Sequence, residues 1–174
     1  MSTEWLAILQ ACQNEYAGAG LEAVLLEPSE AAPFHSLQII FEEVGENGVP
    51  VRLELAFILP AEQAVSGVQI LQAFSNFEAV CSPDGAVLQE LHTYLDRLNL
   101  NLPVGAFIVL DQSQVVFKAN MMIDLAMPQV MAVGLIDRSN GLILHVHQQF
   151  IDSIRLVASG QASAADMIRS DALL

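Results

Sequence analysis

Basic side chains are scarce. The chain of 174 residues has one lysine, Lys118, and five arginines against 20 acidic residues, for a formal net charge of −14. A nucleic-acid binder needs a basic stripe to neutralise phosphates, and docking on an anionic membrane needs clustered lysine and arginine. Both partners are therefore excluded, and phosphate-handling chemistry has few tools. Cysteine is scarce as well. Cys12 and Cys81 lie in apolar contexts with no CxxC spacing, which reads as two reduced, partly buried thiols. No G-x-S-x-G, G-x-G-x-x-G or GxxxxGK[ST] occurs, so nucleophile-elbow, dinucleotide and P-loop readings have no footing.

Long uninterrupted apolar runs are missing too. The nearest, Ala119 to Ile136, is broken by Asn120, Asp124, Pro128 and Gln129, which argues against a membrane span. The start, MSTEWLAILQ, has Glu4 and no basic region, so it does not read as a signal peptide. The expectation is a cytoplasmic protein with no metal or cofactor.

Apolar side chains are plentiful: 53% of the residues are AVILMFWYC and the mean hydropathy is +0.47. Disorder requires the opposite. The length fits one domain, 1–174, large enough to bury a core without staples.

Residues 3–17 read as an amphipathic helix, with Trp5, Ile8, Leu9, Cys12 and Tyr16 on one face and Ser2 or Thr3 as its cap. Strands are expected at 21–27, 37–44 and 51–59. The last two form a hairpin around Glu46-Asn47-Gly48-Val49, since Asn-Gly supplies the positive φ of a tight turn. Residues 68–77 form a fourth strand, with Val68, Ile70 and Phe74 on one face, or belong to a helix starting at Ala61. Residues 85–99 are a second amphipathic helix carrying Val87, Leu88, Leu91, Tyr94, Leu95 and Leu98. A second hairpin, 104–110 with 115–123, turns at 111–114 without a glycine.

Residues 127–159 admit two readings. Ala132, Ile136, Ile143, Val146, Phe150, Ile154 and Val157 keep helical phase, yet a single straight helix of about 50 Å would overhang a domain whose gyration radius is about 16 Å. Asn140-Gly141 then marks a kink or break. Met131, Val133 and Leu135 alternate, which suits a hairpin instead. A short last helix, 164–172, follows from the capping-box spacing of Ser163 and Asp166. The order gives an α+β fold, an antiparallel sheet with helices packed on one face.

Side chains with catalytic potential are dispersed. His145 and His147 lie about 200° apart on a helix and cannot share a metal there; His35 and His92 are isolated. Glu42 and Glu43 point to opposite faces of a strand, and Asp137, Asp152 and Asp166 are too far apart for a calcium loop. Met121, Met122, Met127 and Met131 cluster, either as core filling or as an adaptable partner contact.

Residues 94–118 carry a local pattern: a helix end Tyr-Leu-Asp-Arg-Leu-Asn, then Leu-Pro-Val-Gly-Ala-Phe, Val-Leu-Asp and Val-Val-Phe-Lys. This segment resembles the helix-to-hairpin segment of the YbjN-like family, in a cyanobacterial branch of a fold shared with type III secretion chaperones. The resemblance implies the order helix, three strands, helix, two strands, helix across residues 1–157, commonly as a homodimer. The strand at 68–77 and the C-terminal helix would be additions. It implies no catalytic residues, but a scaffold that takes an extended segment of another protein.

The expectation is thus a non-enzymatic protein-binding module, chaperone-like or a regulatory adaptor, acting as a homodimer. Leu88, Leu91 and Leu95 are candidate dimer contacts by family analogy, although their stripe suits their own sheet equally. Met121, Met122, Met127 and Met131 are the other candidates. The alternative is a small-ligand domain with an apolar pocket between sheet and helices.

Overall fold

A computed structural model describes residues 3–30, 32–59, 67–111 and 114–173. The elements run α1 (Thr3–Gly18), β1 (Glu22–Leu26), β2 (Ser36–Val44), β3 (Val49–Phe57), β4 (Val68–Val80), α2 (Gly85–Asn101), β5 (Ala106–Leu110), β6 (Gln114–Asp124), α3 (Gln129–Ala158) and α4 (Ala164–Ser170). The fold is α+β: among the described residues, a six-stranded antiparallel sheet in the order β1-β2-β3-β4-β6-β5 with four helices. The edge pairs show the register: Val24 lies opposite Gln38 in β1–β2, and Ile108 opposite Val116 in β5–β6.

The chain forms two compact units. Unit 1 is Met1–Phe41, Arg52–Phe74 and Ala119–Gly141; unit 2 is Glu42–Val51, Ser75–Lys118 and Leu142–Leu174. Strands β2, β3, β4 and β6 and helix α3 each pass from one unit to the other.

In unit 1, helix α1 buries Ile8, Leu9, Cys12 and Tyr16, the stripe its spacing predicts. The Trp5 ring meets Phe57 edge-on at 5.9 Å. Gln129 donates to the Ala7 carbonyl, and Asn140 donates to the Tyr16 hydroxyl. The two partner numbers rise together, so α1 and the first half of α3 run side by side in the same direction. The proposed caps Ser2 and Thr3, and the helix start at Ala61, fall outside the described residues or side chains.

Residues 68–77 are strand, not helix, and the strand runs on to Val80. Its core face is the opposite of the expected one. Gln69, Leu71, Ala73, Ser75, Phe77 and Ala79 are buried, whereas Val68, Ile70 and Phe74 are only half-covered on the outward face. Both faces of this strand are apolar, so alternation alone could not choose between them.

Helix α3 continues unbroken over 30 residues, about 45 Å at 1.5 Å per residue. The expected break at Asn140-Gly141 does not occur, and neither does a hairpin. The Asn140 side chain is spent on Tyr16 rather than on the local backbone, which removes the competition that makes asparagine a helix breaker. All seven apolar positions expected to share one face of α3 are buried.

In unit 2, the hairpin turn Gly45–Gly48 is held from α3. Asp152 accepts from the Glu46 backbone N–H at 2.7 Å and from the Asn47 amide at 2.7 Å. Gly48 takes the expected positive φ (61°), and Gly45 takes one too (76°). Of the glycine-free turn expected at 111–114, residues 112 and 113 lie outside the described residues; Asp111 takes φ 49°, a left-handed conformation that aspartate tolerates better than most residues. Asp84 caps α2 by accepting from Ala86 N–H at 2.8 Å.

Candidate functional site

The most chemically pointed constellation lies in the core of unit 2. Helical spacing puts Ile143, His147, Ile151 and Ile154 on the buried side of α3, while His145 is exposed. The expected divergence of the two histidines therefore holds. His147 is fully buried, and its Nε2 lies 2.6 Å from the Ser75 hydroxyl on β4. Its Nδ1 lies 2.8 Å from the Ile143 carbonyl. A carbonyl can only accept, so Nδ1 carries the proton and Nε2 accepts from Ser75. The rings of Phe117, Phe107 and Phe77 surround the imidazole at 5.0, 5.2 and 5.7 Å. Burial pulls the His147 pKa down to about 4, opposed in part by the Ile143 carbonyl. The imidazole is neutral at pH 7.

This is the hydrogen-bond geometry of a nucleophile and its base. Ser75 and His147 are both fully buried, so a substrate atom cannot reach the hydroxyl oxygen in this arrangement. The pair instead satisfies two polar groups inside an aromatic core. Sequence reasoning missed it because the partners are 72 residues apart. The only available signal was the position of His147 within the buried stripe of α3.

A second network closes unit 2. Tyr94 donates to Asp171 at 2.5 Å, and Ser153 donates to the other carboxylate oxygen at 3.1 Å. Burial, then the Asp171 carboxylate, push the Tyr94 pKa well above its usual value. Glu90 accepts from the Ala164 N–H at 2.8 Å, and Ser163 caps α4 with Asp166 as its spacing predicts. This ties α4 to α2.

The candidate contact residues separate. Leu91 and Leu95 are buried within unit 2 and Leu88 is half-buried. The stripe of α2 is thus used on its own unit, not offered as a surface. Met121 and Met127 are half-buried, whereas Met122 is 74% and Met131 57% exposed. The cluster is not one patch, because Met121 and Met122 are strand neighbours and point to opposite faces. On α3 in unit 1, Met131 and Leu135 are exposed one turn apart, with Val130 (76%) also exposed about 100° round the helix from Met131.

Unit 1 also has a cavity of about 250 Å³, lined by Ala32, Pro33, Phe34, Glu54, Ala56, Ile58, Gln72 and Phe74. It lies on the outward face of β3 and β4, whereas the sequence places a pocket between sheet and helices. No grouping of three metal-ligating side chains occurs among the described residues, and no helix among them is long and apolar enough to cross a membrane. Cys12 and Cys81 are free and buried. Burial, with Glu15 and Asp137 adding to it, pushes the Cys12 thiol up to about 12, so it is protonated and unreactive. No family model matches the chain, nor does any curated protein or solved structure.

Proposed function

We propose that this chain is a cytoplasmic protein-binding module, chaperone-like or a regulatory adaptor, that acts as a homodimer. The observation that supports this reading is the exposed apolar surface of α3 in unit 1: Met131 (57%) and Leu135 one turn apart, with Val130 (76%) adjoining Met131. Exposed apolar side chains scattered singly are ordinary, whereas neighbouring ones on one helix suit a contact surface. Methionine adds adaptability to different partners. The resemblance of residues 94–118 to the YbjN-like family supports the same scaffold role, with β4 and α4 as additions to the order it implies. A chemical role for Ser75 and His147 is disfavoured by their burial.

Sedimentation velocity at tens of micromolar, on the wild type and on Val130→Glu/Met131→Glu, tests the dimer. A dimer that the double substitution splits supports it; a wild-type monomer overturns it. Affinity purification from the native cell with the same two proteins tests the client. Polypeptides lost only from the substituted protein support binding through α3, and identical profiles overturn it.

A further inference from the structure

The outward cavity of unit 1 is not used by the proposed protein-binding surface, and its chemistry is selective. Among the described residues, six of the eight that line it are apolar: Ala32, Pro33, Phe34, Ala56, Ile58 and Phe74. The other two described lining residues are polar, Glu54 and Gln72. Glu54 is half-buried, and among the described residues its carboxylate has neither a hydrogen-bond nor an ion-pair partner. Arg52, two residues along the same strand, is exposed and forms no ion pair with it. Gln72 gives one amide N–H to Asn120 at 3.1 Å, and its carbonyl oxygen accepts no hydrogen bond among the described residues. Glu54 therefore presents a negatively charged acceptor, and Gln72 a carbonyl oxygen beside its second N–H, next to two phenylalanines.

A half-buried carboxylate loses part of its hydration and calls for a cation or hydrogen-bond donors in return. Phenylalanine faces attract ammonium groups through the ring quadrupole. A net charge of −14 raises the local concentration of cations and lowers that of anions. The volume is also sufficient: a cavity of about 150 Å³ holds a benzene ring, and this one is about 250 Å³. We infer that the cavity between the 32–34 loop and the outward face of β3 and β4 binds a small organic cation, an ammonium group on an apolar body. The apolar body fills the space among Phe34, Ile58 and Phe74, and the ammonium group pairs with Glu54 and the Gln72 carbonyl.

Three probes of the same shape test this: phenethylammonium, 2-phenylethanol and 3-phenylpropanoate. Each is titrated into the full chain, and amide resonances are followed by NMR. The expected result is saturable shifts at Ala32, Glu54 and Gln72 with phenethylammonium, at least tenfold weaker binding of the alcohol, and weaker binding still of the carboxylate. Glu54→Gln, a near-isosteric change on a half-exposed strand face, should bring the ammonium down to the alcohol's level. Absence of saturable shifts, shifts confined to other residues, or equal binding of the three probes by the wild type would overturn the proposal. The comparison of probes on the wild type needs no variant to fold.

Discussion

The Ser75 hydroxyl donates to His147 Nε2 at 2.6 Å, with both residues fully buried and the Ile143 carbonyl holding the other ring nitrogen. Protonating this ring would place a charge among three phenylalanines and turn the Ser75 hydroxyl from donor to acceptor. The unfolded chain titrates near 6.5 and the folded chain near 4. Between those values only the unfolded state binds the proton. Stability from this group is therefore complete above about pH 6.5, falls as pH drops towards 4, and levels off below. The total loss is roughly 3 kcal/mol. Denaturant unfolding at stepwise pH checks it, and a flat profile across that window contradicts it.

Ser75→Ala leaves Nε2 buried without a donor and should cost about 1–3 kcal/mol, whereas Ser75→Ala/His147→Phe removes both polar groups and should recover much of that loss. The double variant should also lose the His147 share of the pH dependence. A double variant less stable than the single one would show that the imidazole's packing, not its hydrogen bond, dominates.

Gly45 and Gly48 both have positive φ, at 76° and 61°, but differ in surroundings. A Cβ on Gly45 would lie 2.5 Å from Asp152 Oδ2 and 2.6 Å from Ile151 Cγ2, while one on Gly48 would meet nothing within 4 Å. Gly48→Ala should cost the left-handed strain alone, about 1 kcal/mol. Gly45→Ala should cost at least about 1 kcal/mol more, since it also dislodges the Asp152 clamp. Thermal unfolding of the two variants side by side decides this; equal losses would mean that the clamp contributes nothing.

Gly141 sits inside α3, exposed, with room for a Cβ. Gly141→Ala should therefore stabilise the protein by about 0.5–1 kcal/mol. A break or hairpin at Asn140-Gly141 would give the opposite sign, so the melting temperature of this one variant reports whether the helix is continuous in solution.

Amphipathic helices were legible because each buries a single stripe: the Ile8–Tyr16 and Leu91–Leu98 positions followed from periodicity alone. The β2–β3 hairpin was legible from alternation and Asn-Gly, although the clamp from Asp152, more than 100 residues on, was not. Strand β4 was ambiguous because Leu71 and Phe77 are as apolar as Ile70 and Phe74, and periodicity cannot rank two apolar faces. Helix α3 was obscured by a local signal, Asn140-Gly141, that a tertiary partner, Tyr16, overrides. The candidate sites lay beyond reach for a related reason. Ser75 with His147, and Glu54 with Phe34, are each brought together only by strand order and loop placement. Of the seven contact candidates, Leu91 and Leu95 are buried and Leu88, Met121 and Met127 half-buried; spacing identified an apolar face but not which of its members remained uncovered.

Each compact unit is assembled from three stretches that alternate along the chain. No single cut divides the sequence into two pieces that each contain one whole unit. A proteolytic nick or an inserted domain anywhere from residue 42 to residue 141 therefore interrupts both units at once.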